Sequence, residues 1–300
     1  MNDKTKGILC MVASALAFSL MQIAVKLTSD NVSIFLQVVF RNFILAVFSI
    51  IMLKKNKEKL MPVKEHRLAL FFRGFLGLFG VVLYFYATKN MQTANAAILQ
   101  KSSPFFVMIF AAIFLNERLT KVHVLSLLIA FVGAYFVTNP SGNYNLLPAL
   151  AGIFSAVFAA GAYTIIGKLG KSENAYRIML AFGVVTCVSL FIPLVMTYKR
   201  PLPIDWLWLL MIGIFGGLGQ YLLTIAYLYA PAGEVSIYNY TSVIFSAILG
   251  FIIFGDKIIP IEFLGIGLIL LSALILFLYN QKNLGRFEIK KKVKNFKKNY

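Results

Sequence analysis

Gly74-Phe75-Leu76-Gly77-Leu78-Phe79-Gly80 and Gly213-Ile214-Phe215-Gly216-Gly217-Leu218-Gly219 lie 139 positions apart and carry glycine at the same three places. At this shift Ala87 falls on Ala226, Ser103 on Ser242, Phe106 on Phe245 and the pair Glu117-Arg118 on Asp256-Lys257, without a gap. At a shift of 145, Gly7, Ala15, Ala17, Phe18, Ser19 and Lys26 meet Gly152, Ala160, Ala162, Tyr163, Thr164 and Lys171. Aligned apolar residues carry little weight in so hydrophobic a chain. Glycines and acid–base pairs are scarce here, so their coincidence marks an internal duplication.

The duplicated units are membrane-like. Of 300 residues, 60% are hydrophobic and 13% charged, with a mean hydropathy of +0.81; soluble chains have about 45–50% apolar and about 25% charged residues. A bilayer core about 30 Å thick is crossed by about 20 apolar helical residues. Ten such stretches are predicted, at 7–28, 34–53, 67–88, 92–115, 121–138, 147–168, 175–197, 206–229, 233–254 and 260–279. The first continues to Leu27, longer than the apolar region of a secretory signal, and is read as an uncleaved span. With five spans in each half, an odd number, the second copy crosses in the opposite sense to the first. The expected architecture is an all-α integral membrane protein of ten transmembrane helices in two inverted repeats, 1–140 and 147–280, followed by a basic tail at 281–300.

The net charge of +18 would suit nucleic acid, but its distribution suits lipid. With the N-terminus inside, cytoplasmic segments hold 21 Lys and Arg and external loops 4, so both termini of this multi-pass cell-membrane protein are expected in the cytoplasm. The tail Lys290-Lys291-Lys292-Val293-Lys294-Asn295-Phe296-Lys297-Lys298 reads as a contact for anionic lipid, at about 1 kcal/mol per basic residue. Nucleic-acid binding would need a folded reader, and the chain offers none. Cys10 and Cys187 fall in apolar runs, which excludes a disulfide framework and a cysteine metal cluster.

Catalytic groups are missing where an enzyme would need them. His66 and His123 lie in or beside loops, and all eleven acids occupy loops, tails or span ends. No carboxylate pair is available at depth for acid–base or metal chemistry, so no cofactor or metal is expected. A polytopic enzyme acting on lipid-linked substrates is thereby disfavoured. The two unlike halves likewise lack the repeated polar ring of a channel.

The run Ala96-Ala97-Ile98-Leu99-Gln100-Lys101-Ser102-Ser103-Pro104-Phe105-Phe106, with Phe114-Leu115-Asn116-Glu117-Arg118-Leu119-Thr120 after it, resembles the EamA repeat of the drug/metabolite transporter superfamily. Tyr240-Thr241-Ser242-Val243 through Gly250, Phe254-Gly255-Asp256-Lys257 and Gly265 look like a second copy, and Arg41-Asn42-Phe43 is similar to the family's pattern in helix 2. The second copy departs from the pattern at Val243, where the first has Pro104. The resemblance spans the chain to about residue 280 and implies a ten-helix carrier of small metabolites working by alternating access. It does not carry a solute with it, and it leaves room for a homodimer. An exporter of amphipathic drugs or organic cations is the alternative within the family, although no deep carboxylate exists to couple such a cation to protons.

Sites in inverted-repeat carriers lie at the repeat interface near mid-depth. The candidates there are Gln100, Lys101 and Ser102 of helix 4 with Asn239, Tyr240 and Thr241 of helix 9, joined by Ser19, Gln22, Tyr84, Tyr163 and Gln220. Each could instead form only an interhelical hydrogen bond. Pro104 is expected to kink helix 4. Lys101 lies roughly 13 Å into its span, and an uncompensated cation there costs at least about 2.5–3.5 kcal/mol. Water, the hydroxyl of Tyr240 or an anionic solute could compensate it; a lipid-facing groove to water is the plain alternative. An anionic or zwitterionic, carboxylate-bearing solute is therefore expected. Arg41 and Arg73 lie nearer the surfaces and read as snorkelling residues, and Glu117-Arg118 and Asp256-Lys257 as interfacial anchors at opposite faces, with a gating salt bridge as the alternative.

The charge asymmetry generates a direct check. Cysteines introduced near Ser33, Asn143 or Pro203 are expected to react with an impermeant external thiol reagent, and those near Lys57 or Lys171 are not; the reverse pattern refutes the orientation.

Overall fold

The structure, a computed structural model, describes residues 2–90, 99–117, 119–138, 146–254 and 260–296, and these are helical or connecting, with no strand among them. Twelve α-helices with described bounds follow in order: α1 (Asp3–Leu27), α2 (Ile34–Lys55), α3 (Lys64–Asn90), α4 (Ser103–Phe114), α5 (Lys121–Thr138), α6 (Leu146–Leu169), α7 (Ala175–Ser189), α8 (Phe191–Thr197), α9 (Pro203–Tyr229), α10 (Ala232–Val235), α11 (Thr241–Phe254) and α12 (Pro260–Phe296). Asn143, Arg118, Asp256-Lys257 and the first residues of the stretch at 92–115 lie outside the described residues.

Among the described residues six segments are long and apolar enough to cross a bilayer: Asp3–Leu27, Ile34–Lys55, Lys64–Tyr84, Leu146–Leu169, Pro203–Tyr229 and Ala232–Ile253. A seventh forms if α7 and α8, bent by 48° at Leu190, count as one span. The shorter apolar helices Ser103–Phe114, Lys121–Phe136 and Phe263–Tyr279 fall within the remaining predicted stretches.

Helix starts are set by side chains that satisfy free backbone N–H groups. Ser33 accepts from Leu36 at 3.2 Å, and Asn174 from Tyr176 at 2.9 Å. Asp205 accepts the Leu202 N–H at 2.8 Å at the start of α9. The same carboxylate accepts the Ser29 N–H at 2.9 Å and hydroxyl at 2.6 Å, tying the α1–α2 connection to α9.

Packing keeps its pattern when the halves are exchanged. Helix α1 lies on α9 as α6 lies on α3; α2 meets α9 as α7 meets α3; α11 meets α1 as α4 meets α6. Two crossings, α2 with α7 and α5 with α12, pair an element with its own counterpart. Small residues make these crossings close, as expected where lipid is as apolar as the side chains. A Cβ on Gly183 would lie 2.9 Å from the Asn42 carbonyl oxygen, and one on Gly133 2.7 Å from that of Gly265. Large apolar side chains such as Phe43, Ile51, Phe154, Phe251 and Leu270 face outward, as a lipid-covered surface requires.

Glu173 anchors the connection between α2 and α3. Its side chain accepts from Arg177 Nε, from the Asn174 N–H at 2.8 Å and pairs with His66 Nδ1 at 2.9 Å, while Arg177 Nη1 also reaches Glu58 at 3.2 Å. Burial alone would raise the carboxyl's pKa, but the hydrogen bonds from Arg177, Asn174 and His66 outweigh it and hold the group below the usual carboxylate range. A depressed folded-state value stabilises the fold above the unfolded pKa and ceases to do so as pH falls through the folded one. The melting temperature of wild type is therefore expected to fall on acidification below about pH 4, while Glu173→Gln, less stable at neutral pH, shows a flatter profile in that window. Parallel profiles would contradict the role given to Glu173.

Candidate functional site

Two helices are interrupted at matching positions. Leu99 and Gln100 are helical, Lys101 and Ser102 form a turn, and α4 begins at Ser103. In the second half a 3-10 turn, Ser236–Tyr240, precedes α11 at Thr241. The 139-residue shift superimposes Lys101 on Tyr240 and Ser103 on Ser242. The kink expected at Pro104 is thus a break one turn earlier. Pro104 lies in the first turn of α4, where its missing N–H leaves no helical bond unmade. The second half breaks at the same place with Val243 where the first has proline, so proline is not what makes the interruption.

The two breaks meet each other. The Tyr240 hydroxyl donates to the Lys101 carbonyl at 2.7 Å, and the Lys101 ammonium donates to the Ser242 hydroxyl. Ser242 Oγ donates to the Asn239 carbonyl at 2.8 Å, and Thr241 Oγ1 to the Tyr238 carbonyl at 2.7 Å, which satisfies acceptors within the turn. From α1, the Ser19 hydroxyl is within reach of the Ala15 carbonyl at 2.9 Å and the Ser242 carbonyl at 3.1 Å. Ser246 Oγ reaches Ser19 Oγ at 3.2 Å and Gln22 Oε1 at 3.4 Å. Lys101, Asn239, Tyr240, Ser19 and Gln22 therefore gather into one network. Thr241 serves its own turn; Gln100 and Ser102 are half-buried beside the first break, and Tyr84 is half-buried on α3.

A second polar group contains the other two residues singled out from the sequence. Gln220 Oε1 accepts from Arg41 Nη2 at 3.4 Å, and its carbonyl accepts from Thr224 Oγ1 at 2.8 Å. Tyr163 stacks on Tyr227 with centroids 5.1 Å apart and lies within electrostatic reach of Arg41 and Arg73. The snorkelling reading of these arginines is corrected here: Arg41 is 8% exposed and Arg73 1%. Each projects from the inward face of its helix, so its length does not bring the head group to water.

Of the two helix-end pairs only Glu117 lies among the described residues, and its partners are in the other half. Asn116 adopts φ 53° after α4, and the Glu117 carboxylate turns to the other half, accepting the N–H groups of Ala232 at 2.8 Å and Gly233 at 2.9 Å. Burial raises the Glu117 pKa, offset in part by those two backbone bonds. Beside it Lys4 pairs with Glu234, and His123 Nε2 is 3.6 Å from the same carboxylate. Glu117 thus clasps the start of the second interrupted helix. Among the described residues no group of three His, Cys, Asp or Glu side chains is placed to hold a metal ion.

Residues 5–139 and 147–278 each match the EamA-like transporter family. A pseudopaline exporter of Pseudomonas aeruginosa is 32% identical over 255 residues, 83% of this chain and 88% of its own length. An uncharacterized transporter of Helicobacter pylori is 28% identical over 282 residues, 91% and 94% of the two chains. One solved crystal structure superposes with a TM-score of 0.82 at 17% identity, covering 93% of this chain and 98% of that one, and shares the fold.

Proposed function

We propose that this chain, which belongs to the EamA-like transporter family and is a membrane transporter rather than an enzyme, moves a small carboxylate-bearing metabolite by alternating access around the two interrupted helices. The observation that carries the reading is the Lys101–Tyr240–Ser242 junction, a first-half cation bonded to the second half where a turn and a 3-10 segment interrupt their α-helices. Interrupted helices expose backbone groups at bilayer depth only beside protein or a wet cavity. A site shared by two repeats can be uncovered to either side by rocking one repeat against the other.

Ten spans in two inverted repeats fit this mechanism. Six long segments, the bent α7–α8 pair and three shorter apolar helices overlap the ten apolar stretches, and the packing pattern common to the two halves supports this reading. Both termini are assigned to the cytoplasm from the loop charges, with the basic tail on anionic lipid. The exporter named among the relatives supports outward movement. Lys101 supplies the charge for a carboxylate, and Ser19, Gln22, Asn239 and Tyr240 supply hydrogen bonds. All eleven acids lie away from mid-depth, which favours an anionic group over an organic cation.

Proteoliposome counterflow tests this. A solute found by thermal-shift screening is expected to carry a carboxylate, and Lys101→Gln and Lys101→Ala are expected to lower its affinity by about tenfold or more, the worth of one charge-assisted hydrogen bond. Wild-type affinity and rate in both variants, or a preferred solute that is a simple cation, refute the reading.

A further inference from the structure

Arg41 on α2 and Arg73 on α3 are buried cations that the junction at Lys101 does not use. Both guanidiniums approach one aromatic ring, that of Phe182 on α7, with Arg73 Cζ 4.4 Å and Arg41 Cζ 6.0 Å from its centroid. Arg41 also lies 5.7 Å from the Phe18 ring. Among the described residues Arg73 Nε, Arg73 Nη1 and Arg41 Nε have no hydrogen-bond partner. Among the described residues the one side chain that accepts from either arginine is the neutral Gln220. The eleven acids of the sequence fall in loops, tails or span ends. Two like charges brought together, desolvated and short of acceptors are costly unless an anion joins them.

The backbone leaves room for both head groups. A Cβ on Gly77 would lie 2.5 Å from Arg73 Nη1, and one on Gly216 2.7 Å from Arg41 Nε. These are the central glycines of the two triplets, 139 residues apart. The duplicated glycines thus open one recess on each side, and an arginine fills each. Guanidiniums present planar, paired donors that match an oxyanion better than an ammonium does.

We infer that Arg41 and Arg73 form a second anion locus, which seats an oxyanionic group of the solute, so that the solute carries two anionic groups, one for Lys101 and one for the arginine pair. The second half of this statement rests on the function proposed above. The locus itself does not. Gln220 joins the two regions: it bonds Arg41, and its neighbour Gly219 is packed against Phe18, adjacent to Ser19 of the Lys101 network.

The test is thermal denaturation of the full-length protein in detergent at constant ionic strength. Succinate, butyrate and inorganic phosphate serve as probes for wild type, Arg41→Gln, Arg73→Gln, Arg73→Lys and Lys101→Gln. Succinate, with two carboxylates, is expected to raise the wild-type Tm more than butyrate does. Arg41→Gln and Arg73→Gln are each expected to weaken succinate by about tenfold while leaving butyrate unchanged. Arg73→Lys, which keeps the charge but loses the planar donor pair, recovers part of the effect and carries the test if a glutamine variant fails to fold. Equal succinate responses in wild type and all three arginine variants would overturn the locus, as would the lack of any anion response in wild type. A response to phosphate that needs Arg73, with none to succinate, assigns the locus to a free inorganic ion and overturns the two-group solute. Unchanged succinate and butyrate binding in Lys101→Gln, with succinate lost in the arginine variants, refutes the proposed function and leaves the arginine locus standing.

Discussion

A helix that stops at bilayer depth frees backbone groups that lipid cannot satisfy, each at a cost of several kcal/mol. Here the carbonyl freed at Lys101 receives the hydroxyl of Tyr240, the residue at the equivalent position of the other half. The contact joins a position to its own counterpart, so it lies where the two repeats meet. It also requires both helices to be interrupted. A continuous first helix would use the Lys101 carbonyl in its own ladder, and a continuous second one would set Tyr240 on a regular helical face. The packing around the junction, α1 against α11 and α4 against α6, places the serine network on one side of it.

Charge follows from the same geometry. Arg41 and Arg73 are buried and Lys101, half-buried, reaches across to Ser242, in a chain whose acids fall in loops, tails or span ends. A fold stabilised for its own sake would pair them or replace them with apolar side chains, since a buried unpaired charge destabilises strongly. Retaining them costs stability, which under the function proposed above an anionic solute restores on binding. Glu117 ties the first half to the start of the second half's helix by accepting from Ala232 and Gly233.

Much of this was legible in the sequence. The glycine triplets revealed the duplication, and depth plus charge singled out Lys101, because those signals depend on spacing and composition. The 139-residue register brought out Tyr240 for the same reason. Arg41 and Arg73 were misread because depth along a helix says nothing of direction around it, and a guanidinium that turns inward looks the same in one dimension as one that snorkels. Pro104 suggested a kink, whereas the turn at Lys101-Ser102 and its twin at Ser236–Tyr240 have only one proline between them. Glu117 read as half of a surface pair because its partners are backbone N–H groups more than a hundred residues away, which no motif records.

The central claim is that both halves form one site at the interrupted helices, and a disulfide across that site tests it most directly. Ser19 of the first half and Ser246 of the second have hydroxyl oxygens 3.2 Å apart. In a protein with Cys10 and Cys187 replaced by serine, the pair Ser19→Cys and Ser246→Cys is expected to lose both titratable thiols on mild oxidation and to regain them on reduction. Two thiols that stay reactive under those conditions, in protein that is folded, would contradict the account.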